Sequence, residues 1–266
     1  MSGVTLAAVA FLVGIATLPI SARLGRRIGA VSVPAADRWA ISGPVPRFAG
    51  PALLLALAPA VDGRALLALT AFLLVGAVDD VRRLSPATKA LALLPGAVAA
   101  AWAGGRWEVG VWAFVLANSL NLLDHVDGMA GAAVFGTGLA ASVVSGADPR
   151  LGPAIVGASA AFLRYNLPPA RFFLGDGGAY LLGAALALTW TPAPAAVALA
   201  GLAVPLLDPS FVVARRLAGG RPPWVGGTDH VGHVLLRAGA PPLAVPLATA
   251  FTSGALPLLV EAATSA

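Results

Sequence analysis

The chain has 266 residues, of which 58% are hydrophobic and only 11% carry a charge, and its mean hydropathy is +0.86. A soluble domain carries about 25% charged residues, so these values predict an integral membrane protein. The lack of cysteine excludes disulfides, thiolate metal sites and cysteine nucleophiles. A net charge of +5 would suggest a nucleic-acid partner for a soluble protein. Here the positions of the charges say more than their sum, and we predict no nucleic-acid binding.

Ten continuous apolar segments follow one another along the chain. A membrane β-barrel would instead show alternating segments of about 10 residues, so the continuous runs favour helices. Several runs are shorter than the ~20 residues that a straight span requires. The pattern predicts an all-α, polytopic membrane protein with about ten transmembrane helices and one domain over residues 1–266. The segments are 3–20, 48–61, 65–79, 90–103, 109–123, 129–145, 151–163, 177–192, 194–214 and 240–260.

The basic residues favour one orientation of these ten segments. No Lys or Arg precedes the first segment, and several arginines follow it, which indicates a retained first helix with its N-terminus outside. With ten spans, all but three of the 17 Lys and Arg residues then lie on the cytoplasmic side, together with the three histidines and most acids. We therefore expect a site on the cytoplasmic face. The three exceptions are Arg64, Arg106 and Arg150.

Asp79 and Asp80 close the third apolar segment as adjacent carboxylates. At a membrane surface such a pair can bind Mg²⁺ through oxygen, or one member can accept a proton. The alternative is a solvated acidic helix end partnered by Arg82 and Arg83.

Residues 118–130 bring amides, acids and an imidazole to the end of the fifth segment. If this segment is helical, Asn118, Asn121 and Asp124 recur every three residues and share one broad face. Asp127 and Gly128 follow, and the glycine permits a turn or a close approach to a ligand. Polar residues in such an apolar setting usually serve a site. The alternative is a helix end with two solvated acids.

The segment Gly-Asp-Gly-Gly at 175–178 opens the next helix, where free backbone N–H groups favour an anion. Asp176 can hold a metal ion against a phosphate there, and Phe172 or Phe173 can stack on a nucleobase. The alternative is a simple N-cap aspartate beside aromatic residues of the membrane interface.

His230 and His233 lie in the last cytoplasmic loop, near Arg237. Two histidines are too few donors for a tetrahedral zinc site in a chain without thiolates, so phosphate binding or proton handling is favoured over zinc. The alternative is a pair of exposed loop histidines. Together the motifs indicate Mg²⁺, phosphate and a nucleobase beneath a hydrophobic slab, as phosphoryl transfer from a nucleotide-activated donor to a lipid requires.

The motifs resemble those of the polyprenyl-phosphate N-acetylhexosamine-1-phosphate transferases, glycosyltransferase family 4. This family includes undecaprenyl-phosphate N-acetylglucosamine-1-phosphate transferase and the phospho-N-acetylmuramoyl-pentapeptide transferase of peptidoglycan synthesis. The resemblance runs from Asp37 to Gly239, with the motifs in the family's order. They are Asp37-Arg38 with Pro44, Pro46 and Arg47; Asp79-Asp80; Ser85-Pro86 with Lys89; the Asn-rich Asp-x-x-Asp-Gly segment at 118–128; Arg164-Tyr165-Asn166 with Gly175-Asp176; and the histidine-containing loop.

The resemblance implies a reaction in the plasma (inner) membrane of a bacterium. Undecaprenyl phosphate attacks the β-phosphate of a UDP-N-acetyl amino sugar, releasing UMP and leaving a polyprenyl-diphospho-sugar, the first membrane step of cell-wall or surface glycan synthesis. It implies Mg²⁺ as cofactor, with Mn²⁺ as an alternative, and it is compatible with a homodimer. Asp176 matches the metal ligand, while Asp79 and Asp80 match the pair that positions or deprotonates the lipid phosphate. The other matches are Lys89 and Asn166 near the phosphates, His230 and His233 as further catalytic residues, and Asn118, Asn121, Asp124, Asp127, Phe173 (beneath uracil), Arg38 and Arg47 as substrate-binding residues.

Three features depart from the family pattern. His125 stands where glycine is usual, residues 175–179 read Gly-Asp-Gly-Gly-Ala without the hydroxyls common in relatives, and Gly232 interrupts the histidine motif. These departures suggest an unusual sugar, or reduced or absent activity. The motifs lean toward a UDP-N-acetylglucosamine donor over the pentapeptide donor without fixing the sugar.

Three alternatives compete with this interpretation. An ion-coupled transporter would place its acids near the middle of the bilayer, whereas here they fall at the ends of apolar segments. A CDP-alcohol phosphotransferase would carry an arginine after its Asp-Gly motif, where this chain has Ala132. The third alternative is a catalytically inactive member of the same fold.

Overall fold

The computed structural model describes residues 1–32, 43–222 and 227–265, and in these ranges helices joined by loops make up the chain, with one short sheet. Strand β1 (Val31–Ser32) pairs antiparallel with β2 (Val45–Pro46), and a 3₁₀ turn (Ala58–Ala60) extends the second helix. The all-α prediction is confirmed. The helices are α1 Gly3–Arg27, α2 Gly50–Leu57, α3 Gly63–Arg82, α4 Pro86–Gly104, α5 Trp107–Leu123, α6 Met129–Ala141, α7 Leu151–Asn166, α8 Gly175–Trp190, α9 Ala195–Gly201, α10 Ala203–Ala218, α11 Val231–Arg237 and α12 Ala244–Thr264.

Each of the ten apolar segments coincides with a helix or with a pair of consecutive helices. Among the described residues, three helices, α1, α4 and α12, are long and apolar enough to cross a membrane, and the bent pair α9 and α10 would make a fourth. Large apolar side chains on the three helices are exposed: Leu12 is 64%, Val98 71% and Phe251 76% accessible. An apolar outer surface of this kind needs a lipid or protein cover. The structure supports a membrane protein, and the count of ten spans stays a prediction.

Helix α8 forms the core of the molecule. It is apolar on all sides and buried along nearly its whole length, as expected for a helix without a polar face. It packs chiefly against α3 and α5. Asp176 is its second residue, so a charged side chain stands at the first turn of the most buried helix.

A close contact between α3 and the start of α8 sets the position of the neighbouring acids. A Cβ at Gly76 would lie 2.3 Å from the backbone nitrogen of Gly177 and 2.4 Å from the carbonyl carbon of Asp176. Only glycine allows the two backbones to approach so closely. Because Asp79 and Asp80 follow Gly76 by one turn, this contact brings them beside Asp176.

The predicted segment 194–214 is broken into α9 and α10, which meet at an angle of 67°. Pro205 lacks the N–H that would bond to the carbonyl of Gly201 four residues earlier, and that carbonyl instead accepts the hydroxyl of Thr137 at 3.0 Å. A hydropathy pattern cannot show such a break, because both halves are apolar. The bend directs α10, with Asp208 and Arg216, toward the last loop.

Candidate active site

Five charged residues from four parts of the chain meet at the start of α8, and we call them the carboxylate cluster. The sequence predicted each of them as a site residue, and the structure brings them together. They are Arg47, Asp79, Asp80, Lys89 and Asp176.

Asp80 anchors the start of α8. Its Oδ1 accepts the backbone N–H of Asp176 at 2.9 Å, and its Oδ2 accepts that of Gly177 at 3.2 Å. Arg47 supports it, since the Arg47 Nε lies 3.6 Å from Oδ1 and Nη2 donates to the Asp80 carbonyl at 3.2 Å. A carboxylate that accepts the free N–H groups of a helix N-terminus also complements the helix dipole. Asp80 therefore holds the backbone of Asp176 in place.

Asp79 points toward Lys89 and Asp176 instead. Lys89 forms ion pairs with Asp79 and with Asp176, the latter at 3.0 Å between Nζ and Oδ2. The other oxygen of Asp79 accepts the N–H of Leu84 at 2.6 Å and closes the end of α3. The two adjacent aspartates thus have different surroundings, which their neighbouring positions in the sequence did not reveal.

The sequence Ser85-Pro86 explains why Lys89 reaches these acids. Ser85 is the N-cap of α4 and its hydroxyl accepts the N–H of Thr88 at 3.2 Å, while Pro86 occupies the first helical position, where its missing N–H costs nothing. A helix that begins here places Lys89 on its first turn, directly after the end of α3.

A polar cavity lies at the carboxylate cluster, and a second cavity shares residues with it. A polar cavity of about 150 Å³ is lined by Ser32, Arg47, Asn121, Asp124, His125, Phe173, Gly175 and Asp176. A larger, mainly apolar cavity of about 400 Å³ is lined by residues 124–127, Asn166, Pro168, Pro169, Phe173, His233, Leu236 and residues 241–243. Asp124, His125 and Phe173 line both, so they form the boundary between a charged chamber and an apolar one.

The loop between α5 and α6 is held by the loop before α8. Asn166 is buried, its Oδ1 accepts the N–H of Gly128 at 3.1 Å, and its Nδ2 donates to the carbonyl of Phe172 at 3.0 Å. Asp127 Oδ2 accepts the N–H of Ala170 at 2.9 Å. These bonds fix the walls of the larger cavity. Asn166 and Asp127 therefore have positioning roles in addition to lining the cavity.

The two phenylalanines before α8 have different surroundings. Phe172 is 2% exposed and packs edge-on against Phe162, so it belongs to the core. Phe173 faces both cavities, and its N–H donates to the carbonyl of Pro46 at 2.9 Å. Of the two aromatic residues that the sequence offered, Phe173 is the one available to a nucleobase.

The last loop approaches the same boundary from the opposite side. The ring of His230 stacks on that of His125, with 4.3 Å between centroids, and His233 lines the larger cavity. His230 Nδ1 lies 2.8 Å from Asp208 Oδ2. Sequence reasoning missed Asp208, because an aspartate between prolines inside an apolar segment gave no sign of its partner 22 residues later.

Two predicted residues are not placed at the site. Asn118 donates to the carbonyl of Phe114 one turn earlier and does not line either cavity, although Asn121 on the same helix lines the polar one. Asn118 and Asn121 are separated by almost one turn, and only the latter is near the helix end. Arg38 lies outside the described residues.

The cluster suits a magnesium ion that shares its ligands with a substrate. No group of three or more acids and histidines fit to hold a metal ion occurs within residues 1–32, 43–222 and 227–265. Mg²⁺, however, is usually bound through one or two carboxylates together with substrate phosphates and water. Asp176 and Asp79 share the Lys89 ammonium, which shows that a cation fits between their oxygens.

Comparison with known proteins gives one family. The model of glycosyl transferase family 4 matches residues 107–192. A Bacillus subtilis protein named as a probable undecaprenyl-phosphate N-acetylglucosaminyl 1-phosphate transferase is 27% identical over 87% of this chain and 77% of its own length. A decaprenyl-phosphate N-acetylglucosaminephosphotransferase of Mycobacterium tuberculosis is 28% identical over 81% of this chain and 71% of its own length.

A shorter match points the same way. The undecaprenyl-phosphate alpha-N-acetylglucosaminyl 1-phosphate transferase of Thermotoga maritima is 31% identical over 48% of this chain and 42% of its own length. The residues matched by the family model run from the start of α5 to just beyond α8, and therefore include Asn121, Asp124, Asn166 and Asp176. The family model and the named relatives support the family inferred from the motifs: residues 107–192 are similar to glycosyl transferase family 4, and most of the chain is similar to its polyprenyl-phosphate members.

Proposed function

We propose that the protein transfers an N-acetyl amino sugar 1-phosphate from a UDP-sugar to undecaprenyl phosphate at the cytoplasmic face of the bacterial plasma membrane, with Mg²⁺ as cofactor. A new bond forms between an oxygen of the lipid phosphate and the β-phosphorus of the donor. The bond from that phosphorus to the bridging oxygen breaks, and UMP leaves. The observation that carries the proposal is the cluster of three carboxylates and two cations beside a nucleotide-sized apolar cavity.

Transfer between two phosphates depends on positioning and charge neutralisation, because the reacting oxygens all carry negative charge. Asp176, with Asp79 as its neighbour, would hold Mg²⁺ together with phosphate oxygens of the donor, and the ion would neutralise charge on the diphosphate. Lys89 and Arg47 are the fixed cations of the cluster and add to this neutralisation. Phe173 supports the nucleobase by stacking.

Asp79 is the aspartate better placed to act on the lipid phosphate. Both oxygens of Asp80 accept N–H groups of α8. One oxygen of Asp79 instead faces the ammonium group of Lys89, and the long side chain of Lys89 can move away from it. We assign to Asp79 the positioning or deprotonation of the lipid phosphate, and to Asp80 the support of Asp176.

The position of the three acids at helix ends favours phosphoryl transfer over ion transport. Asp79 and Asp80 lie in the last turn of α3, and Asp176 lies in the first turn of α8. A transporter would carry such acids near the middle of its spans. Ten spans with the N-terminus outside would place these helix ends at the cytoplasmic surface, where a soluble nucleotide can meet a lipid phosphate.

The test is UMP release by purified protein supplied with undecaprenyl phosphate and Mg²⁺. UDP-N-acetylglucosamine, UDP-N-acetylgalactosamine and UDP-N-acetylmuramoyl-pentapeptide are offered separately. We expect release with an N-acetyl amino sugar donor, and with UDP-N-acetylglucosamine first, lost when Mg²⁺ is chelated or the lipid omitted. Absence of release with all three donors would contradict the proposal.

A matched control uses an acid far from the cluster. Asp148 caps the start of α7 by accepting the N–H groups of Arg150 at 2.9 Å and Leu151 at 2.8 Å. Asparagine caps a helix as well as aspartate does, so Asp148→Asn should release UMP at the wild-type rate.

A further inference from the structure

The loop that carries His230 and His233, called the histidine loop below, is joined to the site through a short chain of side chains to which the steps described above assign no part. His125 lines both cavities, and its ring lies at 19° to that of His230 with centroids 4.3 Å apart. The side chain of His230 is only 1% exposed. A stacked contact at this distance fixes the plane in which the His125 ring lies.

Asp208 determines how His230 is held. Its Oδ2 lies 2.8 Å from His230 Nδ1, and its Oδ1 accepts the N–H of Val231 at 2.8 Å. A carboxylate oxygen accepts here, so Nδ1 of His230 carries a hydrogen. Within the described part of the chain, Nε2 is buried without a hydrogen-bond partner. The orientation of the His230 ring, with Nδ1 as the donor, is therefore set by a residue on the bent helix α10.

Gly232 allows the loop to lie this close to residues 126–129. A Cβ at Gly232 would stand 2.8 Å from Met129 Sδ and 3.0 Å from Val126 Cγ2. A side chain at this position would press against Met129 and Val126, and Met129 would have to shift. Gly232, the glycine that interrupts the histidine motif, therefore lies against the segment that follows His125.

The place of His125 indicates which part of a ligand it contacts. On one side lies the polar cavity with Arg47 and Asp176, and on the other lies the apolar cavity, with Phe173 at the boundary. A uridine nucleotide with its base on Phe173 and its diphosphate near Asp176 must pass its ribose and α-phosphate across this boundary. An imidazole nitrogen there can donate a hydrogen bond to a phosphate oxygen.

We propose that His125 binds the α-phosphate of the uridine nucleotide, and that Asp208 is a positioning residue that holds His125 in place through His230. This inference rests on the proposed function, because it assumes a UDP-sugar donor. It makes His125 a determinant of nucleotide affinity, and it assigns the last loop a role in building the wall of the nucleotide site.

Binding of UMP tests the contact without any need for turnover. We would measure the dissociation constants of UMP and uridine by calorimetry with the purified, detergent-solubilised full chain and Mg²⁺. His125→Phe keeps an aromatic ring against His230 and removes the nitrogen donors. We expect it to weaken UMP binding about tenfold, as the loss of a hydrogen bond to a charged group implies, and to leave uridine binding unchanged.

The action of Asp208 through His230 has two separate measurements. The chain has only three histidines, so ¹⁵N spectra of labelled protein can report each imidazole tautomer. Asp208→Asn presents an amide donor to Nδ1, and it should move the hydrogen of His230 to Nε2 and weaken UMP binding severalfold. In a double-mutant cycle, Asp208→Asn should have no further effect on UMP affinity in the His125→Phe background. Asp148→Asn is the control for all measurements.

The results separate the two proposals. Wild-type protein that neither binds UMP nor releases it from a UDP-sugar would overturn the proposed function together with the inference. Wild-type protein that releases UMP, while His125→Phe binds UMP with unchanged affinity, would overturn the inference alone. Additive effects of Asp208→Asn and His125→Phe, or an unchanged tautomer of His230, would overturn the positioning role.

Discussion

The carboxylate cluster and the histidine loop meet at one site but are built by different means. In the cluster, two helix backbones touch at Gly76 and Gly177, and the carboxylate of Asp80 binds the end of α8 directly. In the histidine loop, the contacts are between side chains: Asp208 bonds to His230, which stacks on His125. A backbone contact admits no adjustment, whereas a stack of side chains can tolerate substitution. We therefore expect substitutions in the cluster to abolish folding or UMP release, and substitutions in the histidine loop to weaken UMP binding only in part.

The largest effect is expected for Gly76→Ala. Its new methyl group would lie 2.3 Å from the nitrogen of Gly177, a backbone atom that cannot move aside. We predict loss of folded protein, measured by size-exclusion chromatography and thermal denaturation in detergent. Gly63→Ala in the same helix is the control, because a Cβ there meets nothing within 4 Å and alanine is the better helix former. Normal folding of Gly76→Ala would show that the two backbones can separate.

Asp176→Asn should remove activity and leave the fold intact. The substitution removes the negative charge that pairs with Lys89 and that we assign to the magnesium ion. UMP release should therefore fall by about 10³-fold. The amide has nearly the same shape, so the thermal midpoint should stay close to that of the wild type. Full activity in this variant would rule out the metal assignment.

Comparison of Asp79→Asn with Asp80→Asn tests whether the two adjacent aspartates have different roles, one in the reaction and one in stability. The amide introduced by Asp80→Asn has a single oxygen where two N–H groups of α8 need acceptors, so this variant should lose about 1–3 kcal/mol of stability, and activity with it. In Asp79→Asn the side-chain oxygen can still accept from Leu84, so we expect a near-normal thermal midpoint and almost no UMP release. Equal losses of stability would contradict the separate roles.

The smallest effect is expected at the outer edge of the histidine loop. The hydrogen bond from Arg221 to Asp229, at 3.1 Å, lowers the pKa of Asp229 below its usual range. A lowered pKa in the folded state contributes stability above the ordinary carboxyl pKa of about 3.9, and this contribution is lost as the pH falls through the lowered value. Asp229→Asn should therefore cost up to about 1 kcal/mol at neutral pH. Thermal denaturation at several pH values should show this difference vanish in acid.

The helices were predictable because hydropathy and capping are local properties. All ten apolar segments fall on helices, yet α3 continues to Arg82 and α4 begins at Pro86, beyond the apolar runs that predicted them. Caps such as Ser85, and not hydropathy, decide where a helix starts. The break between α9 and α10 escaped prediction because both halves are apolar, and because the carbonyl that Pro205 leaves unbonded is satisfied by Thr137, a residue from another helix.

By itself, the sequence indicated an all-α membrane protein whose motifs resemble those of glycosyl transferase family 4, and it singled out the acids of the candidate site. Only the tertiary structure decided that Asp80 supports α8 while Asp79 faces Lys89, that Phe173 and not Phe172 reaches the cavities, and that Asp208 holds His230 against His125. The physical reason is distance along the chain. Residues within one helix follow its periodicity, whereas Asp80 and Asp176 are 96 positions apart and meet only because glycines let two helices touch.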